Sequence, residues 1–187
     1  MTSSGLTASA YRADLEQWFA WDGATVLVRP VRPQDAEEHH ELLRALERED
    51  LCPRTLTRLP DLAPERASAL CAIDYDREMT FIAIHATNGD QSALGLVRSV
   101  VDAGNDCAEF AMALRPDVKG RGLGRILLGK LIAYYRTRQT RELVGEARAD
   151  DVRRLQLARA FWFDVAPSGA PGRMTLRLTL GPLIAAN

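Results

Sequence analysis

Apolar residues along the 187-residue chain fall into short continuous runs bounded by turn residues, interleaved with longer stretches in which they recur every three or four positions. Such a pattern predicts strands alternating with helices. Residues 1–10 are small and polar and are expected to be disordered. Leu15, Trp18, Phe19 and Trp21 lead into Asp22-Gly23, a hairpin signal, and 25–31 reads as a strand. Pro33 opens a helix with Asp35, Glu37 and Glu38 in its first turn and Leu42, Leu43 and Leu46 on its buried face. Pro53, Pro60 and Pro64 break the pattern over 51–64, which predicts a surface connection and candidate lid. A short helix over 65–73 precedes strands at 79–85, 93–101 and 107–114. Leu123, Ile126, Leu127, Leu131 and Tyr134 then recur at helical spacing as far as Arg138. A strand at 142–147 follows. Asp150 or Asp151 caps a helix whose Val152, Leu155, Ala158 and Trp162 share a face, and strands at 163–166 and 173–180 close the chain.

This order predicts an α/β (α+β) fold over 11–187: a single domain with a mixed, mostly antiparallel sheet flanked by helices. At 47% hydrophobic and 26% charged, the chain can bury an ordinary core. Its net charge of −1 favours neither nucleic acid nor an anionic membrane, so any anion site must be local. Cys52, Cys71 and Cys107 have no CxxC spacing, which argues against a disulfide framework or zinc site. No apolar run reaches the ~20 residues of a membrane span and no secretory leader is legible, so a cytoplasmic protein is expected.

The chemistry concentrates in 109–125. Glu109 is a lone acid on an apolar strand, Pro116 ends that strand, and the loop Lys119-Gly-Arg-Gly-Leu-Gly-Arg125 opens a helix. Backbone N–H groups at a helix start lack partners within the helix and carry about half a positive charge, which suits a pyrophosphate. Gly120, Gly122 and Gly124 permit close backbone approach, and Lys119, Arg121 and Arg125 add charge. The loop lacks the Gly-Lys-Ser/Thr ending of an NTPase loop, and Arg125 stands where a dinucleotide fingerprint needs its third glycine.

The spacing Lys119-x-x-Gly122-x-Gly124 resembles the coenzyme A loop of the GNAT acyltransferases, whose first residue is usually Gln or Arg. Further stretches, namely Val26-Leu-Val-Arg-Pro-Val-Arg-Pro33, Ile73-Asp-Tyr-Asp-Arg-Glu-Met79, Ala108-Glu-Phe-Ala111, Leu143-Val-Gly-Glu146 and Leu157-Ala-Arg159, are similar to the acetyltransferase domain of bacterial Pat protein lysine acetyltransferases. The resemblance covers roughly 15–180. It implies acetyl-CoA as cosubstrate, bound through Ala111, Met112, Ala113 and the loop from Lys119 through Leu123 to Arg125, and Glu109 as the catalytic carboxylate. It also implies a protein lysine as acceptor, with a small amine or a non-catalytic acyl-CoA-sensing role as alternatives, and a monomer or homodimer. Three positions depart from the family: Asp151 replaces a usual Asn, Trp162 a usual Gly, and an aromatic-rich stretch is missing after Glu49.

A lysine amine is neutral in only about one molecule in 2500 at pH 7, and only the neutral form attacks a thioester, so a base has a task. Period 2 puts Ala111 and Ala113 on the face of Glu109, and small side chains leave space there. Backbone N–H groups near 111–113 could polarise the thioester if the central strands splay. Asp74, Asp76 and Glu78 form an acidic stretch suited to a basic acceptor surface or to solvent. His39 and His40 are adjacent and diverge by about 100° on a helix, which disfavours a metal pair. Cys107 lacks a His partner, and packing explains Tyr134 and Tyr135 better than acid catalysis does.

Overall fold

The computed structural model describes residues 10–45, 71, 73–87 and 90–181. Asp22 and Gly23, at φ of 51° and 77°, turn the chain between β1 (Gln17–Trp21) and β2 (Ala24–Pro30). A two-residue turn with positive φ at both positions matches the right-handed twist of the paired strands, which is why Asp-Gly signals it. Next come α1 (Ala36–Ala45), β3 (Glu78–Thr87), β4 (Asp90–Val101) and β5 (Cys107–Leu114). After these lie α2 (Leu123–Thr137), β6 (Glu142–Arg148), α3 (Val152–Ala160), β7 (Asp164–Pro167) and β8 (Arg173–Thr179). The eight strands form one sheet in the order β1-β2-β3-β4-β5-β6-β8-β7, antiparallel throughout except for the parallel β5–β6 pair. Sheet and flanking helices give the α/β fold that the periodicity predicts.

Both faces of the sheet are covered. On one, Leu127, Leu128 and Leu131 of α2 and Leu155 and Ala158 of α3 pack with Phe81, Val97, Phe110 and Met112. Each such aliphatic or aromatic side chain contributes about 1.5–3 kcal/mol by leaving water. On the other, Leu42 of α1 closes over Ile82, Ile84, Leu96, Ala111 and Ala113. Arg29 on β2 donates two hydrogen bonds of 2.7 Å to Asp35, the pair nearly excluded from solvent, and the Asp35 carboxylate also accepts from the Arg32 N–H at 2.6 Å. That buried pair fixes where the chain leaves the sheet and enters α1.

Tyr134 and Tyr135 are core residues. The Tyr134 hydroxyl donates to the carbonyl of Tyr75 and the Tyr135 hydroxyl to Ser99 Oγ, each at 2.9 Å. Burial pushes the Tyr135 phenol up to about 12. The last helix departs from the expectation. α3 ends at Ala160, Phe161 caps it, and Trp162 follows at φ 60° with 83% of its surface exposed. Val152 is also exposed, so Leu155 and Ala158 are the buried residues of that helix, with Leu157 partly buried against the core. The predicted lid over 51–64, all but the last residue of the predicted disorder over 1–10 and most of the short helix over 65–73 lie outside the described residues.

Candidate active site

The β5–β6 pairing starts at Cys107↔Glu142 and stops at Phe110↔Gly145, after which the two strands part. Gly145 permits this last rung, because a Cβ there would stand 2.6 Å from the Phe110 ring. The parting decides which amides point into the gap. Hydrogen-bonded pairs alternate along an antiparallel ladder. Arg115 N–H bonds the Leu94 carbonyl and Asp102 N–H bonds the Cys107 carbonyl, so Glu109, Ala111 and Ala113 share that parity and turn their backbone groups towards β4. Met112 and Leu114 therefore turn their N–H groups towards the parted strand. Of the predicted 111–113 amides, that of Met112 faces the gap.

Below the gap lies a cleft of about 750 Å³, floored by Met112, Leu114 and Leu157 and walled by the glycine loop and α3. Gly120 and Gly122 hold φ of 80° and 89°, and Gly122 is the residue before α2, so the loop's amides enter the helix through left-handed backbone. Gly124 is buried, and a Cβ there would reach Leu114, Leu157 and Met112 at 3.3–3.4 Å. Five cations, Lys119, Arg125, Arg148, Arg153 and Arg154, line this cleft against two acids, Asp150 and Asp151. Arg148 holds Asp150 through bonds of 2.8 and 2.6 Å and keeps its carboxyl below the usual range. Asp151 caps α3 by accepting from the Arg154 N–H at 3.0 Å, and its second oxygen lies 3.3 Å from the Arg154 side chain. The acid that departs from the family pattern is thus tied to the helix rather than left facing an incoming phosphate. Net positive charge, a helix start and an apolar floor fit the pyrophosphate and pantetheine of coenzyme A.

The sequence-derived residues divide. Lys119, Gly120, Gly122, Gly124, Arg125 and Met112 come together at this cleft. The Leu123 side chain is fully buried in the core. Arg121 turns away: its guanidinium lies 5.2 Å from the centroid of Trp21 and pairs with Asp22, and its carbonyl accepts from Trp21 Nε1–H at 2.9 Å. Its charge therefore lies at the β1–β2 hairpin, not at the cleft. Ala113 is sealed beneath α1, so the room expected on that face does not extend over it. Glu109 is solvent-exposed on β5, between Val100 and Val144 on the neighbouring strands. Ala111, two residues on, lines a small cavity with Phe110, Met112 and Glu146 where the strands part.

Asp74 spends its carboxylate locally, with Oδ1 accepting from the N–H groups of Asp76, Arg77 and Glu78 at 2.8–3.1 Å. Burial raises its pKa, but these three donors outweigh that and the net direction is down. Asp76 stays exposed, 4.0 Å from Arg138. Glu78 is paired with the buried Arg98 at 2.6 Å. Sequence reasoning missed Arg148, Arg153 and Arg154; the only signal was an arginine-rich run between a strand and the next helix. Among the described residues no group of three or more His, Cys, Asp or Glu could hold a metal, and no helix is long and apolar enough to cross a membrane.

The model of the acetyltransferase (GNAT) family matches residues 39–161. The chain is 28% identical over 122 residues to the acetyltransferase PA5475 of Pseudomonas aeruginosa, a match covering 65% of this chain and 66% of that protein, just under two thirds of its length. Among solved structures, the GNAT domain of S. lividans PAT superposes with a TM-score of 0.75 at 21% identity, covering 91% of this chain and 100% of that one. The yncA protein of Salmonella typhimurium, solved with its cofactor acetyl-CoA, superposes with a TM-score of 0.66 at 17% identity over 87% of this chain and 98% of that one. With the family model spanning well over half the sequence, the chain belongs to the acetyltransferase (GNAT) family, whose cosubstrate is acetyl-CoA.

Proposed function

We propose that the chain transfers acetyl from acetyl-CoA directly to a primary amine, with a protein lysine side chain as the acceptor. The observation that carries the reading is the pairing of a cationic, glycine-lined cleft with an exposed carboxylate, Glu109, on the strand that frames the gap. The glycine loop and the cleft arginines hold the phosphates. The Met112 N–H meets the thioester oxygen as negative charge develops on it. Glu109, directly or through water, takes a proton from the incoming ammonium, the neutral amine attacks the acetyl carbon, the new C–N bond forms, the C–S bond breaks, and the leaving thiolate takes the second proton from that nitrogen. No residue forms a covalent intermediate.

The protein-lysine acceptor is supported by the fold-level likeness to the S. lividans PAT domain and by an exposed acid, Asp76, just before β3. Glu109→Gln tests the proposal. Acetyl-CoA binding should persist while turnover at neutral pH falls by about 10²–10⁴-fold, and the deficit should shrink at high pH, where more amine is already neutral. Near-normal turnover at pH 7 would remove Glu109 from the mechanism. Turnover on small amines with none on lysine-bearing proteins would move the acceptor to the small-molecule class.

A further inference from the structure

Of the 24 basic residues in the sequence, only Lys119 and Lys130 are lysines. Their positions differ in kind. Lys130 sits on the flank of α2, its Nζ donating to Gln17 Oε1 at 3.0 Å and lying 5.7 Å from the Phe81 ring centroid, away from the cleft. Lys119 follows the turn Pro116–Val118 in extended backbone and lines the cleft, half-buried, at the foot of the glycine loop. Four of the five cleft cations are arginines, whose guanidinium remains protonated at any working pH and does not take up an acyl group in water. Lys119 is the only member of that set with a primary amine. Acylation would turn it into a neutral amide and take one positive charge from the phosphate end.

We infer that Lys119 is an acetyl-acceptor site on the protein itself, and that its modification weakens coenzyme binding. The inference rests on the coenzyme A reading of the cleft. The reaction needs only an acetyl thioester: the neutral Nζ attacks the acetyl carbon, a C–N bond forms, the C–S bond breaks, and the departing thiolate takes the proton from nitrogen. Bound coenzyme and acetylation compete for one place, because a phosphate beside Lys119 blocks the approach of a second thioester to the amine. The empty enzyme is therefore the form that is modified, and the modified form is slow to refill. Arginine at the other four positions confines this sensitivity to one residue.

The test uses the intact protein and S-acetyl-N-acetylcysteamine, a thioester with no nucleotide to occupy the phosphate end. Peptide mass spectrometry follows acetylation at both lysines, with and without desulfo-coenzyme A, which fills the cleft but has no thiol. The expected result is acetylation of Lys119 slowed more than about tenfold by saturating desulfo-coenzyme A, with Lys130 unaffected. After desalting, the acetylated protein should bind desulfo-coenzyme A about 10- to 100-fold more weakly by calorimetry, the cost of one charged hydrogen-bond donor. Lys119→Arg should keep its own affinity through the same treatment. Three results overturn the inference: Lys119 unmodified while Lys130 reacts, equal protection at both, or unchanged affinity after stoichiometric modification. If untreated protein binds no desulfo-coenzyme A, the reading of the cleft itself falls, which the calorimeter reports before any acetylation is attempted.

Discussion

Gly145→Ala strikes the last rung before the strands part. A Cβ at this position would stand 2.6 and 2.7 Å from two ring carbons of Phe110, against the 3.5–4.0 Å of an ordinary carbon contact, so the ring must retreat by about 1 Å. It has nowhere to go. Phe110 is 7% exposed and packs on Phe163 with ring centroids 5.6 Å apart. Overpacking of this kind costs about 1–3 kcal/mol. At about 2–4 °C per kcal/mol for a chain of this size, the melting temperature should fall by several degrees. Because Met112 and its inward N–H lie two residues further along β5, turnover should drop as well. The decisive measurement is a double-mutant cycle in urea. Phe110→Leu alone costs stability by emptying space, but in the Gly145→Ala background it removes the clash, so the double variant should be no less stable than Phe110→Leu. Additive losses, or a Gly145→Ala protein within about 0.5 kcal/mol of wild type, would refute the claim that this glycine makes room for the ring.

Asp35→Ala should leave the Arg29 guanidinium buried without its carboxylate and cost about 3–5 kcal/mol, read as a lower denaturant midpoint. Gly122→Ala meets no atom within 4 Å, so its folding penalty should be only the about 1–2 kcal/mol of a left-handed residue, while coenzyme binding by calorimetry should weaken further as the methyl stands in the phosphate's approach. Asp76→Lys should slow acetylation of a protein acceptor more at low salt than at high and spare a tiny amine, and equal rates at low salt would remove Asp76 from the acceptor's path. Asp74→Ala should instead loosen the turn before β3. Its depressed carboxyl contributes stability at neutral pH that fades as pH falls through its folded value, so the variant and wild type should converge in acid.

What the sequence made legible was local. Three glycines between an apolar run and a helical period can be read without knowing where the rest of the chain goes, and so can a single acid on that run. Asp22-Gly23 declared its hairpin for the same reason, since both residues tolerate the φ the turn demands. Side-chain direction was not legible where distant chain decides it. Arg121 looked like its neighbours Lys119 and Arg125, yet a hairpin about a hundred residues earlier claims it. Arg148, Arg153 and Arg154 look like any solvated charges until β6 and α3 bring them round the cleft. Trp162 was assigned to the α3 face by extending the helical period past its end. The chain stops being helical at Phe161, where the N–H groups of Trp162 and Phe163 bond back to the carbonyls of Arg159 and Ala158.

The contact of Trp21 and Asp22 with Arg121 joins the hairpin at one end of the sheet to the glycine loop proposed to receive the coenzyme. A loop already held in its binding shape does not have to be ordered when the ligand arrives, so the entropic cost is met during folding instead. Linkage then runs both ways: whatever factor the hairpin adds to coenzyme affinity, bound coenzyme returns as resistance of the hairpin to opening. Amide exchange in β1 and β2, remote from any phosphate, thus becomes a gauge of whether the cleft is filled.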